Sequence, residues 1–318
     1  MTLRAPVWAW RALMACVAFV DLRRFSRNPI DNVDYVLDID YVGDGIHAHR
    51  LDVITPQSHD RTDDVLLPVY IYFHGGGWTS GDKAPLTKYC ASQAVDGIVV
   101  VNVNYRRATR FHMRHILQDA AAALAWVTSE IAGFGGDPDR IVLGGDSAGG
   151  QIAALLAAAT QDNELAEHYG IQPKADIRGV VQHCSAVDFS VIFERGFVMS
   201  LSFIRMLLPA RGRGLVLSEA IRFLSPIEWI GPSFPPVFVT TSERDFFYGA
   251  NLNFLARLRA TGVRVDTLIY GIGSSSTRHT WQQDSRLVES QEVYRRLQQF
   301  VRSVAFPRTV TGLMPQLP

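Results

Sequence analysis

Short apolar runs recur along this chain, and polar or glycine-rich turns separate them. Strands that are buried on both faces of a sheet have this composition. Five such runs lie at residues 69–73, 98–103, 141–143, 179–181 and 237–239. Three further strands are expected at residues 35–42, 50–54 and 264–270, the first two around the turn Gly43-Asp44-Gly45.

Between the strands, apolar residues repeat with the spacing of a helix. The predicted helices cover residues 115–131, 148–159, 252–258 and 287–304. Strands that alternate with helices predict the α/β class, with a mostly parallel, twisted sheet and helices on both of its faces.

One long segment interrupts the alternation. Residues 189–223 are rich in phenylalanine and methionine and lie between two strands, so we predict that they form a helical cap above the sheet. The predicted units are an N-terminal helical segment, a core in two parts, the cap inserted between them and a C-terminal tail. Their boundaries are residues 1–34, 35–188 with 224–306, 189–223 and 307–318.

The N-terminal segment is apolar from residue 5 to residue 20, except for Arg11. Its longest uncharged piece is far shorter than the ~20 residues that a membrane-spanning helix needs. A charge inside the apolar stretch also disfavours a signal peptide, although Leu13-Met14-Ala15-Cys16 weakly resembles a lipoprotein cleavage site. We expect an amphipathic helix packed on the core, with peripheral membrane contact as the alternative.

Composition narrows the function classes. The chain has 318 residues, 47% of them hydrophobic, enough for one large core. Its 31 basic and 31 acidic residues balance, so no basic surface for nucleic acid is expected. Three scattered cysteines predict neither a disulfide framework nor a metal site. We expect a cytoplasmic protein without metal or organic cofactor, whose oligomeric state, monomer or homodimer, the sequence leaves open.

The strongest chemical signal is Gly145-Asp146-Ser147-Ala148-Gly149. It follows the strand at 141–143 and precedes an alanine-rich helix, which is the context of a nucleophile elbow. The tight turn projects the hydroxyl of Ser147 at the carboxyl end of the sheet. The backbone N–H of Ala148, at the start of the helix, is then directed toward a developing oxyanion.

A second motif makes the first one specific. His74-Gly75-Gly76-Gly77-Trp78 follows the strand at 69–73. The glycines leave backbone N–H groups unshielded, and Gly76 and Gly77 are the expected oxyanion donors beside Ala148. We expect His74 to anchor this loop rather than to act as a base.

A serine hydroxyl needs a positioned base. In this arrangement the chain order is serine, acid, histidine, which leaves His168, His183 and His279. We expect His168 to be a solvated surface residue, and His183 ends a strand before any suitable acid. His279 follows the last strand in a glycine- and serine-rich loop, and is therefore the predicted base.

The acid is expected after the penultimate strand. Glu243 and Asp245 both follow the strand at 237–239. Asp245 is favoured as the acceptor of the Nδ1 hydrogen of His279, and Glu243 is the alternative.

The motifs together resemble those of the bacterial carboxylesterases related to hormone-sensitive lipase. The matching residues are His74-Gly75-Gly76-Gly77-Trp78, Tyr105-Arg106, Gly136-Asp137-Pro138-Asp139-Arg140-Ile141 and Gly145-Asp146-Ser147-Ala148-Gly149-Gly150. That family usually has proline and leucine after the acid and His-Gly-Phe at the base. This chain has Phe246-Phe247 and His279-Thr280-Trp281 instead.

The resemblance implies the α/β-hydrolase fold and hydrolysis of carboxylic esters through an acyl-enzyme on Ser147. The apolar cap favours lipophilic esters with short- to medium-length chains. A small-amide hydrolase of the kynurenine formamidase type and an enzyme similar to prenylcysteine methylesterases are the alternatives. A non-catalytic binding scaffold is the third, although no member of the triad is missing.

Overall fold

The computed structural model describes residues 7–9, 12, 29–57, 65–193, 201–208 and 216–306. Within these ranges, eight strands form one sheet in the order β1-β2-β4-β3-β5-β6-β7-β8. The strands are β1 (Val33–Asp40), β2 (Arg50–Pro56), β3 (Leu67–Phe73), β4 (Val99–Val103), β5 (Gly136–Asp146), β6 (Ile177–His183), β7 (Val237–Ser242) and β8 (Val265–Tyr270).

The sheet is mostly parallel, as predicted. Strand β2 pairs antiparallel with β1 and with β4, and the five other neighbouring pairs are parallel. Because the carboxyl ends of parallel strands lie at one edge, the loops that follow β3, β5, β6, β7 and β8 gather there.

Helices cover both faces of the sheet. They are α1 (Thr87–Ala94), α2 (Met113–Glu130), α3 (Ala148–Ala159), α4 (Asn163–Tyr169), α5 (Leu201–Leu207), α6 (Leu217–Leu224), α7 (Tyr248–Ala260) and α8 (Val288–Ala305). Helices α2, α3 and α7 pack in one apolar cluster, and α1 and α8 pack in another on the opposite face.

Strand β3 shows why its sequence has no polar face. Ile71 and Phe73 enter the cluster of α2 and α3, whereas Tyr70 and Tyr72 enter the cluster of α1 and α8. Since neighbouring side chains on a strand point to opposite faces, burial on both sides requires an unbroken apolar run. This confirms the α/β class that the sequence predicted.

Two helices were not predicted from the sequence. Helix α1 lies between β3 and β4, and α4 contains His168, which we expected to be a solvated surface residue. Helix α4 begins because the carboxylate of Asp162 accepts the N–H of Leu165 at 3.0 Å. It ends at Gly170, which has a φ of 65°.

The predicted cap is described only in part. A 3₁₀ turn covers Phe189–Phe193, and α5 and α6 follow it. Phe203 and Ile204 of α5 are buried in the same cluster as α3. Residues 194–200 and 209–215 lie outside the described residues, so the predicted boundaries of the cap stay a prediction.

The predicted N-terminal segment is described at a few positions only. Residues 7–9 and 12 are helical, and Val7 packs against the larger apolar cluster. The remainder up to residue 28, and the tail 307–318, lie outside the described residues. No helix in the described part of the chain has the length and apolar character that crossing a membrane requires.

Candidate active site

Ser147 lies in the turn between β5 and α3 with a φ of 52° and a ψ of −116°. A positive φ is strained for a serine and persists only where the surroundings enforce it. The N–H of Ser147 donates to the carbonyl of His183 at 2.9 Å, which ties the turn to β6.

The positions of Gly145 and Gly149 leave no room for a side chain. A methyl group on Gly149 would overlap the carbonyl oxygen of Phe73, at the end of β3. A methyl group on Gly145 would overlap the backbone of Gly149. The small residues therefore allow strand, turn and helix to approach closely, as the predicted elbow demands.

The glycine loop after β3 presents two backbone N–H groups. Gly76 has a φ of 119° and Gly77 a φ of 59°, conformations that glycine adopts at little cost. Neither N–H has an acceptor among the described residues. Both glycines line the same cavity as Ser147, so their N–H groups are available for an oxygen atom of a ligand there.

His74 holds the loop and stays neutral. Its Nδ1 lies 2.7 Å from the carbonyl oxygen of Gly75, and its ring stacks on Tyr105 at 4.3 Å between centroids. The Tyr105 hydroxyl donates to the His74 carbonyl at 2.6 Å. Burial lowers the pKa of His74 to about 4. These contacts are those of an anchor.

Asp146 connects the serine turn to the glycine loop. Its carboxylate accepts the Tyr72 hydroxyl at 2.5 Å, the Gly75 N–H at 3.1 Å and the Gln283 amide at 3.1 Å. Burial raises the pKa of this carboxyl group. The sequence indicated Asp146 as part of the motif, but it gave no sign of its partners Tyr72 and Gln283.

Trp78 anchors the other end of the glycine loop. Its indole Nε1 donates to the side-chain oxygen of Gln151 on α3 at 2.6 Å, and its ring contacts Phe189. Gln151 in turn donates to the carbonyl of Leu224 at the end of α6. The loop, the helix behind Ser147 and the described part of the cap are therefore linked.

The predicted acid and base lie side by side. Oδ2 of Asp245 is 2.5 Å from Nδ1 of His279, and the side chain of Asp245 is fully buried. Its other oxygen accepts the N–H of Phe247 at 2.6 Å. Glu243, the alternative acid, instead accepts the N–H of Ile272 at 2.7 Å. The structure therefore brings Asp245, and not Glu243, to His279.

The other two candidate histidines are engaged elsewhere. His183 is completely buried between the Tyr89 hydroxyl at 2.8 Å and the Thr240 hydroxyl at 2.7 Å, and burial lowers its pKa to about 3. His168 is half-buried and stacks on Phe223 at 3.6 Å. The expectation of a solvated surface residue at His168 was wrong, because Phe223 of α6 stacks on its ring.

Two side chains near the acid and base were missed from the sequence. The ring of Phe246 lies 4.1 Å from that of His279, at 37°. The thiol of Cys184 hydrogen-bonds to Asp245, and burial raises the pKa of this thiol. Phe246 was visible only as a departure from the family pattern. No local signal marks Cys184, because chain folding alone brings it to Asp245.

A cavity of about 770 Å³ opens at this edge of the sheet. Ser147, His279, Gly76 and Gly77 all line it. The remaining walls come from the turn before β2, the segment that leads to α1 and the loop between β4 and α2. A hydroxyl, an imidazole and free N–H groups thus face one space that can hold a small molecule.

Comparison with known proteins agrees with this geometry. Residues 70–272, more than half of the chain, match a family described as alpha/beta hydrolase fold. Esterase LipQ of Mycobacterium tuberculosis is 32% identical over 65% of this chain and 48% of its own length. Carboxylesterase NlhH of the same organism is 42% identical over 30% of each chain. The chain thus spans about half, or less, of these relatives.

Solved structures show the same fold. Esterase B of Lactobacillus rhamnosis superposes with a TM-score of 0.83 at 23% identity, over 94% of this chain and 95% of that one. An esterase of Pyrobaculum calidifontis superposes with a TM-score of 0.68 at 23% identity, over 95% and 92%. By its sheet, its serine turn and its matching segment, the chain belongs to the α/β-hydrolase fold family.

Proposed function

We propose that this protein hydrolyses carboxylic esters, with Ser147 as nucleophile, His279 as general base and Asp245 as the acid that orients it. The observation that carries the proposal is the cavity itself. It is lined at once by the serine, by the imidazole bound to Asp245, and by the two N–H groups of Gly76 and Gly77 that lack an acceptor among the described residues.

The reaction has two acyl-transfer steps. The oxygen of Ser147 forms a bond to the ester carbonyl carbon while Nε2 of His279 takes its proton. The N–H groups of Gly76, Gly77 and Ala148 stabilise the oxyanion. The intermediate then expels the alcohol, which receives the proton from His279. Water, deprotonated by the same imidazole, then adds to the acyl carbon. The bond to the oxygen of Ser147 breaks, this oxygen takes the proton back from His279, and the carboxylic acid is released.

The cavity walls favour short- to medium-chain substituents. Ile46, Pro85, Leu86 and Phe111 contribute apolar surface, which suits an aliphatic group. No described residue of the predicted cap lines the cavity. We therefore assign the preference for lipophilic esters to these four side chains and not to the cap.

Relatives support an esterase more than an amidase. LipQ and NlhH are named as esterases. A plant relative, 25% identical over 70% of this chain, is an isoprenylcysteine methylesterase of Arabidopsis thaliana. The matched segments cover 48%, 30% and 52% of these proteins, so their names support the reaction type and not a particular substrate.

The test is a panel of 4-nitrophenyl esters of increasing acyl length, with N-formylkynurenine as the amide probe. Wild-type protein is expected to hydrolyse the short and medium esters, and Ser147→Ala to lose this activity. Ester turnover by Ser147→Ala at the wild-type rate would overturn the proposal. Preference for N-formylkynurenine would replace it with the amidase.

Membrane contact is a separate proposal that concerns residues 1–34. Co-sedimentation with liposomes of the full chain, against a variant that begins at residue 35, tests it. Equal binding by both proteins would reject a membrane role for the segment.

A further inference from the structure

One wall of the cavity is strongly basic. The loop between β4 and α2 contributes Arg106, Arg107 and Arg110 to the lining, together with Thr109 and Phe111. Three guanidinium groups within five consecutive residues are more than a cavity for a purely apolar ester requires.

The three arginines are not equivalent. Arg106 forms a bidentate pair with the buried carboxylate of Asp119, donating to Oδ1 at 2.5 Å and to Oδ2 at 2.9 Å, so its charge is balanced. Among the described residues, the acceptor of the Arg107 guanidinium is the carbonyl oxygen of Gly81, at 2.5 Å. The guanidinium of Arg110 lies 5.4 Å from the centre of the Phe111 ring.

Neither Arg107 nor Arg110 has a carboxylate partner within the described ranges. Both residues are exposed and line the cavity. Gly81 and Phe111 fix the positions of these two charges without neutralising them, so each guanidinium keeps donors for a ligand.

The acidic groups of the cavity are already engaged. Asp82 bonds to His47 at 2.8 Å and to Asn104 at 3.2 Å, and Asp146 accepts from Tyr72, Gly75 and Gln283. These two carboxyl groups in the same walls disfavour a doubly charged phosphate and favour a ligand with a single negative charge.

We propose that Arg107 and Arg110 select an ester that carries a carboxylate at the far end of its acyl or alcohol group, such as a half-ester of a dicarboxylic acid. The inference rests on the proposed esterase function and names the substrate class of that site. The apolar walls hold the chain, and the two guanidinium groups bind the carboxylate, for which their planar donors are suited.

The test compares matched substrates in which a carboxylate is present or absent. For the acyl side, mono-4-nitrophenyl adipate carries the carboxylate and 4-nitrophenyl hexanoate is its neutral partner. For the alcohol side, 4-carboxyphenyl butyrate carries it and phenyl butyrate is the neutral partner. For each pair, the ratio of kcat/KM for the charged and the neutral ester is measured. The ratio is expected to fall about tenfold in Arg107→Leu/Arg110→Leu for at least one pair, and to fall with added salt in wild type.

Two further variants keep the outcome clear. Arg110→Gln removes a guanidinium whose described contact is the Phe111 ring, and it keeps the Arg107 bond to Gly81. It therefore disturbs the loop less than the double variant, and its ratio is also expected to fall. Arg259→Leu removes an exposed charge on α7, outside the cavity, and is expected to leave the ratio unchanged.

The failures are distinguishable. If the double variant keeps the wild-type ratio in both pairs while it still hydrolyses the neutral esters, the anionic substrate class is wrong. If wild-type protein hydrolyses none of the four esters, the esterase function itself is wrong.

Discussion

Exchange of the two candidate acids for amides separates their roles. Asp245→Asn changes the group that lies 2.5 Å from Nδ1 of His279. Glu243→Gln changes a neighbouring carboxylate that accepts only the N–H of Ile272 among the described residues. Both substitutions preserve side-chain size, and both positions follow β7, so Glu243→Gln is a matched control.

The magnitude for Asp245→Asn follows from two effects. Asp245 is fully buried, so solvent does not screen its hydrogen bond to the imidazolium that forms during reaction. Such a charge-assisted bond is worth about 1.5–3 kcal/mol, or about 10- to 150-fold in kcat. The amide also donates toward Nδ1 and favours the tautomer whose Nε2 carries the proton and cannot accept that of Ser147. Together we expect a loss of about a thousandfold or more in kcat.

The assay is steady-state hydrolysis of 4-nitrophenyl butyrate at saturating substrate, with circular dichroism to verify that both variants are folded. Glu243→Gln is expected to stay within about twofold of wild type, since it loses one exposed hydrogen bond. A large loss in Glu243→Gln beside a small loss in Asp245→Asn would refute the assignment of the acid.

Three other substitutions test individual contacts. Phe246→Leu removes the ring that lies 4.1 Å from the imidazole of His279. Because an aromatic face stabilises a cation by about 0.5–1 kcal/mol, kcat for 4-nitrophenyl butyrate is expected to fall two- to fivefold with KM unchanged. An unchanged kcat would show that the contact has no role. Burial lowers the pKa of His183 from 6.5 to about 3. Between these two pH values only the unfolded chain binds a proton at this residue. Its contribution to the free energy of unfolding therefore falls as pH decreases, by about 2 kcal/mol from pH 7 to pH 5. Urea unfolding of His183→Gln should show a smaller loss across this range, and an equal loss would contradict the buried neutral state. Gly149→Ala is expected to lower the free energy of unfolding by about 3 kcal/mol or more, because its methyl group would overlap the Phe73 carbonyl. At Gly133 nothing lies within 4 Å of an added methyl group, so Gly133→Ala should leave thermal unfolding nearly unchanged.

The sheet was predictable because its central strands are buried on both faces. In a run such as residues 69–73 neither face of the strand is exposed to solvent, so the continuous apolar pattern alone identifies the strand. Helix α4 was missed for the opposite reason, since it exposes much of its surface and depends on the Asp162 cap and on α6. Patterns of burial therefore predict the layers better than the short surface helices.

The parts of the site that are local in sequence were also predictable. Gly145-Asp146-Ser147-Ala148-Gly149 and the glycine loop each form within a few residues of a strand end, where spacing alone indicates the geometry. The choice between Glu243 and Asp245 is less local. The N–H of Glu243 donates to the carbonyl of Tyr270 at the end of β8, so Glu243 continues along that strand. The N–H of Asp245 donates to the carbonyl of Ser242 and closes a turn. This turn is what directs Asp245 inward.

Contacts between separate loops were beyond the sequence. Cys184 follows β6 and Asp245 follows β7, and only the order of strands in the sheet makes them neighbours. The basic wall at Arg107 and Arg110 is likewise a property of the cavity. No periodicity or motif reveals which side chains of a loop face the same space.

The central claim is that Ser147 is the nucleophile, and covalent labelling tests it most directly. Wild-type protein is treated with a fluorophosphonate, digested and examined by mass spectrometry. We expect a single adduct on the peptide that contains Ser147, no labelling of Ser147→Ala, and much slower labelling of His279→Ala. An adduct on another residue, or labelling of Ser147→Ala to the wild-type extent, would contradict the account.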